Sequence, residues 1–260
     1  MIVAICVFSL FHPVELRVQP ANHSVLVVTQ NGQSRTLEGS GSALLRGAAT
    51  VTGRGASETD FILSVPGRIH RAFRGRLEVR EDTGHLSAVV KMDRETAVAS
   101  IVAAESPPGA PLEARKAQAV VARSFLTASG TRHEGFDFCD TTHCQFLRDP
   151  PAPGNINARA AEETGDLVIA YQGRAVATLY SGNCGGKTRT LEEAGWNAEE
   201  YPYFAVECPV RGGVSGHRIG MCQEGASDLA KHGKSFREIL SWYFPATTLI
   251  SAGKDGRGSW

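Results

Sequence analysis

Neither sign of charge prevails in this chain: 27 basic residues stand against 27 acidic ones, for a formal net charge of +0. That balance removes the electrostatic case for a nucleic acid partner or an anionic membrane surface. No block of like charge marks an interaction tail, and no internal repeat is present. There is no transmembrane segment either, because the apolar opening Met1 to Phe11 is too short to span a bilayer. It also lacks a basic start and a small-residue cleavage site, so it reads as a buried first strand, Ile2 to Phe11, rather than an export signal. The six cysteines are not spaced as in a small secreted scaffold, and there is no second C-x-x-C half to make a zinc finger. Cys6, inside an apolar strand, reads as a small core residue, whereas Cys208 and Cys222 flank a Gly-rich loop and could bridge if oxidised.

What the chain does have is glycine, 28 of them and many in short clusters, which points to a loop-rich α+β protein. Residues 1–92 read as a β-rich amino-terminal region. A second strand is expected around Glu15 to Val18, with others at Val25 to Thr29 and Phe61 to Val65. Leu77–Arg80 and Leu86–Val90 form a hairpin turning at Thr83-Gly84, and Arg46 to Thr59 reads as loops. From Asp93 the period becomes helical. Val98, Ile101, Val102 and Glu105 share one face of a helix from Glu95 to Ala104 that delivers Glu105. After a Pro-Pro-Gly break comes a helix over 112–128, with Ala114, Ala117, Val121, Phe125 and Ala128 as its buried face. Pro111 suits its first turn and Glu113 its positive end.

Asn157 precedes a short helix to Thr164, and Asp166–Tyr171 with Arg174–Tyr180 form a hairpin across Gln172-Gly173. Helices follow over 222–232 and Ser235 to Tyr243, the latter opened by a Ser235/Glu238 capping box. Residues 93–250 thus form one region, and 251–260 read as a frayed tail.

Three segments carry chemistry. Glu105 sits at a seam between helices, where a partly apolar carboxyl suits general acid catalysis. Cys139-Asp140-Thr141-Thr142-His143-Cys144-Gln145 gathers soft ligands that suit a tetrahedral zinc ion, or else shapes a tight turn. Gly216-His217-Arg218-Ile219-Gly220-Met221-Cys222-Gln223-Glu224-Gly225-Ala226 is a Gly-framed loop entering a helix, where backbone amides can approach a ligand.

Taken in order, these segments resemble the stage II sporulation protein D family, which includes the amidase-enhancer proteins. The matching pieces are Ala104-Glu105, the run Glu113 to Phe125, Cys139 to Gln145, Tyr180-Ser181-Gly182-Asn183-Cys184-Gly185-Gly186-Lys187-Thr188, Pro202-Tyr203-Phe204, His217 to Ala226 and Ile239 to Pro245. The resemblance covers about residues 70 to 250. It implies an α+β fold whose helical centre carries the active site between β-rich lobes. It also implies a lytic transglycosylase, a lyase acting on the peptidoglycan glycan strand outside the cytoplasm. The bond would be the β-1,4 link between N-acetylmuramic acid and N-acetylglucosamine, and the product 1,6-anhydro-muramic acid.

Glu105 matches the catalytic glutamate. One carboxylate suffices because the sugar's own C6 hydroxyl is the nucleophile, whereas a hydrolase needs a second carboxylate. The resemblance assigns substrate contacts to Lys116, Gln118, Arg123, Gln145, Ser181, Cys184, Gly185, Gly186, His217, Met221 and Gln223. It allows one zinc ion on Cys139 and His143, and a cell-wall amidase as partner. Ser106 replaces the usual methionine, Ser124-Phe125 the common Thr-Tyr, and Cys222 a frequent serine. Two rival readings are a non-catalytic glycan-binding or amidase-enhancing module, and a zinc amidase built on Cys139, His143 and His217.

Overall fold

A computed structural model of the chain describes residues 1–197 and 201–253. The chain is α+β, with strands outweighing helices, and it divides into two compact units. One comprises residues 2–100 and 131–150; the other takes residue 1, 101–130 and the described part of 151–260. The strand-rich unit includes the start of the helix after residue 93 and the Cys/His segment within 131–150.

The strand-rich unit contains β1 (Ile2–Val7), β2 (Leu16–Pro20), β3 (Leu26–Gln30), β4 (Gln33–Leu37), β5 (Ala43–Leu45), β6 (Ala49–Thr52), β7 (Thr59–Val65), β8 (Ile69–Asp82), β9 (His85–Asp93) and β10 (Phe138–Cys139). Its main path runs β10-β1-β9-β8-β6-β3-β4, while β7 joins β8 to β2 and β2 joins β5. One long strand serves both arrangements. Ile69–Gly75 of β8 pairs with β7, and Arg76–Asp82 pairs with β9. The division falls at Gly75, whose φ is 154° and where any Cβ would collide with the Lys91 carbonyl. Only glycine permits that close approach. Alternation supplies the core: Thr59, Phe61, Leu63 and Val65 of β7 are buried, and the residues between them are only partly so.

The β8–β9 hairpin turns at Thr83-Gly84, both with positive φ, as expected for a two-residue connection. Cys6 is the expected core residue, 4% exposed. Two expectations are corrected. The first strand stops at Val7, because Phe8 turns left-handed (φ 61°) into a 3-10 turn at Ser9–Phe11. The Arg46–Thr59 stretch is not all loop, since β6 lies between β3 and β8 with Ala49 and Val51 buried. Its small residues hide a strand that tertiary pairing creates.

Helix α1 (Arg94–Glu105) follows β9 directly, and Asp93 Oδ1 accepts the Glu95 N–H at 2.9 Å to cap it. Its last turn, from Ile101, belongs to the second unit. That unit continues with α2 (Leu112–Ala128), α3 (Ile156–Thr164), β11 (Leu167–Tyr171), β12 (Arg174–Ala175), β13 (Tyr180–Ser181), β14 (Met221–Cys222), α4 (Gln223–Lys231), α5 (Phe236–Tyr243) and β15 (Thr248–Ser251). Helix α2 packs against α3, α4, α5 and β11, so every residue from Ala117 to Leu126 is buried, not one face alone. Burying Val121 and Phe125 contributes about 1.5–3 kcal/mol each. Several polar groups tie this helix to the rest of the unit. Ser124 Oγ accepts the Ile169 N–H at 2.8 Å and Thr178 Oγ1 donates to the Val121 carbonyl at 2.8 Å. Glu113 reaches α5, accepting the Phe236 N–H at 2.8 Å.

The β11–β12 hairpin turns at Gln172-Gly173, but its second strand ends at Ala175 rather than Tyr180. Tyr180–Ser181 instead pairs in parallel with Met221–Cys222. The expected capping box at Ser235 and Glu238 is complete. The expected frayed tail begins inside a strand, for Ser251 pairs with Leu167 at the end of β15. Residues 254–260 of that tail lie outside the described residues.

Candidate functional site

Glu105 is the last residue of α1 and is half-buried. Its backbone carbonyl accepts the Gln223 side-chain amide at 2.7 Å, and the same amide donates to Gln118 Oε1 at 3.2 Å. The Glu105 carboxylate is hydrogen-bonded to the phenol of Tyr180. Burial, and then the negative charge and hydrogen bond of Glu105, hold that phenol well above the usual tyrosine range. A phenol that stays protonated can only donate to the carboxylate, so it orients Glu105.

Tyr180 is placed by β13, and the neighbouring chain is placed by Gly220. With φ 71°, Gly220 leaves no room for a Cβ against the Leu179 carbonyl. His217 bonds the Tyr180 backbone, and its Nδ1 accepts the Ile219 N–H at 3.0 Å. The neutral ring therefore carries its proton on Nε2. Burial holds His217 below the usual histidine range. The Trp196 ring, 47% exposed, lies 5.4 Å from that of His217. Ser106, Gln118, Gln223 and Ser227 line a narrow cavity with Pro107 and Met221. Ser106 Oγ, Gln118 Nε2 and Ser227 Oγ are buried there without a partner among the described residues.

Glu105, Gln118, Ser181, His217 and Gln223 thus belong to one unit, while Gln145, 2% exposed, belongs to the strand-rich unit. Several of the residues expected as glycan contacts are buried or bonded inside the protein. Arg123 is 0% exposed and donates to Ala161 O at 3.1 Å, Thr164 Oγ1 at 3.2 Å and Leu167 O at 3.2 Å. It is a buried cation at the carbonyl end of α3, where the helix dipole favours it. Lys116 lies 2.7 Å from both Glu113 and Glu163, and these carboxylates hold its ammonium above the usual lysine range. Cys184 and Met221 are core residues, 0% and 1% exposed. Gly185 and Gly186 have φ 75° and 110°, and a Cβ on Gly185 would meet Val214 at 2.9 Å.

Tyr180 and Trp196 were not among the sequence-derived contacts. Tyr180 lies inside a quoted motif, but nothing in the order of residues brings it to Glu105. Cys222, at the position where the resemblance leads one to expect serine, caps α4, its Sγ accepting the Gly225 N–H at 3.4 Å.

In the strand-rich unit, β10 is held parallel to β1, with Cys6 opposite Cys139. The turn after it is anchored by Asp140, which accepts the Phe8 N–H at 3.2 Å and pairs with Arg71 at 2.9 Å. Burial nevertheless pushes the Asp140 carboxyl up. This turn brings Cys139, His143 and Cys144 to His133, with all four ligand atoms within 4.8 Å of one another. His133 Nε2 is 3.3 Å from Cys144 Sγ, and His143 Nδ1 is 3.5 Å from Cys144 Sγ and 3.8 Å from Cys139 Sγ. Burial, with His143 and Arg132 nearby, favours the neutral His133 ring that a metal requires. The two-ligand expectation therefore becomes a four-donor set of two thiols and two imidazoles, which fits tetrahedral zinc.

Comparison with known proteins bears on these residues. A segment of 129 residues, 48% of this chain, is 30% identical to an uncharacterized protein of Brachyspira hyodysenteriae. Another of 161 residues, 62% of this chain, is 28% identical to the amidase enhancer of Bacillus subtilis. The chain spans only 33% and 21% of the length of these relatives. A family profile described as stage II sporulation protein, SpoIID, matches residues 82–171. That match takes in Glu105 and the four Cys/His side chains, while Tyr180, His217 and Gln223 lie beyond it. Over residues 82–171 this chain is therefore similar to the SpoIID family, described as stage II sporulation protein.

Proposed function

We propose that this chain is a peptidoglycan lytic transglycosylase that acts outside the cytoplasm, with Glu105 as general acid and then base. The observation that carries the reading is the Glu105 carboxylate, half-buried and bound by the Tyr180 phenol. In this reading neutral Glu105 protonates the glycosidic oxygen as the bond from C1 breaks. The resulting carboxylate takes the proton from the C6 hydroxyl, whose oxygen closes on C1 to give the 1,6-anhydro ring. No second carboxylate is required. Tyr180 holds the carboxylate in place, His217 supports the Tyr180 backbone, and exposed Trp196 offers a ring face for a sugar.

Zinc fits the chain's residues at His133, Cys139, His143 and Cys144. When bound there, a four-donor zinc supplies structural hold rather than an open position for water. The four donors come from one segment, so the set needs nothing from His217. This weakens the amidase alternative.

The second reading, a glycan-binding module that assists a cell-wall amidase, is favoured by the name of the Bacillus subtilis relative, an amidase enhancer. Mass spectrometry of peptidoglycan digested by the purified protein separates the readings. Anhydro-muramic ends support the transglycosylase. Reducing ends, cleaved stem peptides, or binding without new products overturn it. No described helix is long and apolar enough to cross a membrane.

A further inference from the structure

We propose that Cys184, Cys208 and Cys222 form a binding site for one soft, thiophilic metal ion, in addition to the His133–Cys144 cluster. The three Sγ atoms all lie within 4.8 Å of one another, and the residues are 0%, 3% and 0% exposed. A disulfide would account for two converging thiols and leave the third unexplained. Three sulfurs around one point are what a cation needs.

The surroundings are built for sulfur as a ligand. Cys222 Sγ accepts the N–H groups of Cys184 and Gly225, each at 3.4 Å. Cys208 Sγ lies 3.3 Å from the Tyr243 hydroxyl and also receives a backbone hydrogen bond from Val210. Such donors stabilise a thiolate and orient it, as outer-shell partners do in metal sites. Gly225 keeps the space open, since a Cβ there would collide with Cys208 Sγ and Tyr243 Oη. The Cys208 N–H donates to the Gly186 carbonyl at 2.9 Å, which fixes its segment against the Gly185-Gly186 loop.

The donor set selects the ion. With three sulfurs and no histidine or carboxylate in the cluster, hard oxygen-seeking cations such as Mg²⁺ and Ca²⁺ are disfavoured. Cu⁺ and Zn²⁺ are the matching class. Each thiol that ligates releases its proton to solvent, so binding weakens as pH falls. The ion would tie together the 182–186 loop, the segment at Cys208 and the cap of α4. It would thereby brace Gln223, the residue after Cys222, which holds the Glu105 carbonyl. The inference rests on this cluster alone and stands whether or not glycan is cleaved.

The test titrates the reduced full-length chain anaerobically with Cd²⁺, and separately with Cu⁺, against a competing chelator, following thiolate-to-metal charge-transfer absorption. Cys222→Ser is the informative variant, because serine retains the α4 cap while removing a sulfur ligand. It should lose one equivalent of bound metal relative to the parent, or bind it about 100-fold more weakly. Cys184→Ala, which spares the cap, should lose the same equivalent. Should either variant misfold by circular dichroism, the parent absorption still reports the thiolates engaged at each equivalent. Metal content and absorption unchanged in both folded variants would overturn the proposal. So would a disulfide between any two of the three, found by alkylation and mass spectrometry of anaerobically purified protein.

Discussion

The phenol of Tyr180 is hydrogen-bonded to the carboxylate of Glu105, joining the end of α1 to a two-residue strand 75 positions further along the chain. Glu105→Gln keeps the shape and removes the transferable proton. Glycan cleavage should fall by about 100-fold or more, with folding and glycan binding retained. Turnover within tenfold of the parent would remove Glu105 from its role.

Tyr180→Phe keeps the ring in β13 and deletes only the donor. The expected outcome is a drop of about tenfold in kcat, roughly 1.4 kcal/mol of barrier, with KM nearly unchanged. Because Tyr180 acts through Glu105, combining it with Glu105→Gln should add little further loss. Additive losses in a double-mutant cycle would show that the two side chains work independently.

His217→Ala should lower turnover or glycan affinity by about tenfold, because it removes the support of the Tyr180 backbone and the neighbour of Trp196. His217 also sets a pH signature. Its folded-state pKa lies below the unfolded value near 6.5, so above that pH the ring is neutral in both states and contributes nothing. As pH falls below about 6.5, the unfolded chain takes up the proton first and stability declines until the folded-state value is reached. Urea unfolding between pH 8 and pH 5 should show that decline, and His217→Gln should flatten it. Identical slopes in both proteins would mean that other groups dominate.

Cys144→Ser should weaken zinc binding as severely as Cys139→Ser, since both sulfurs belong to the four-donor set. Zinc measured in protein purified without added metal decides the matter. A Cys144→Ser protein that retains zinc at parental affinity would return the site to Cys139 and His143 alone. Binding should weaken on acidification, because both thiols must lose protons and both imidazoles must be neutral.

At the start of α5, hydrogen bonds from Lys234 and Ser235 hold the Glu238 carboxyl down at about 2. A depressed carboxylate contributes stability above its unfolded value near 4.3, and that contribution is lost as pH falls through about 2. Ser235→Ala should cost about 1 kcal/mol at neutral pH and reduce the acid sensitivity of the α5 end. Denaturant unfolding at pH 7 and pH 3 would reveal it, and an unchanged midpoint in the variant would show the cap to be idle.

The sequence by itself determined the local elements. The period of Val98, Ile101 and Val102 announces α1, the Thr83-Gly84 and Gln172-Gly173 pairs set their hairpins, and Ser235 with Glu238 opens α5. These depend on backbone propensity and on contacts a few residues apart, which linear order contains. Ordered motifs also carried the family resemblance, from which the proposed role of Glu105 comes. Tertiary structure decided what crosses long separations. β6, hidden among small residues, exists because β3 and β8 flank it. Arg123 reads as a ligand contact from its motif, yet burial beside the end of α3 turns it inward. His133 joins Cys139, His143 and Cys144 only because the chain folds back at Phe136, and Tyr180 reaches Glu105 only once β13 has paired with β14. Side-chain chemistry is written in the sequence, but which groups share a few ångströms is settled when the sheets and helices pack.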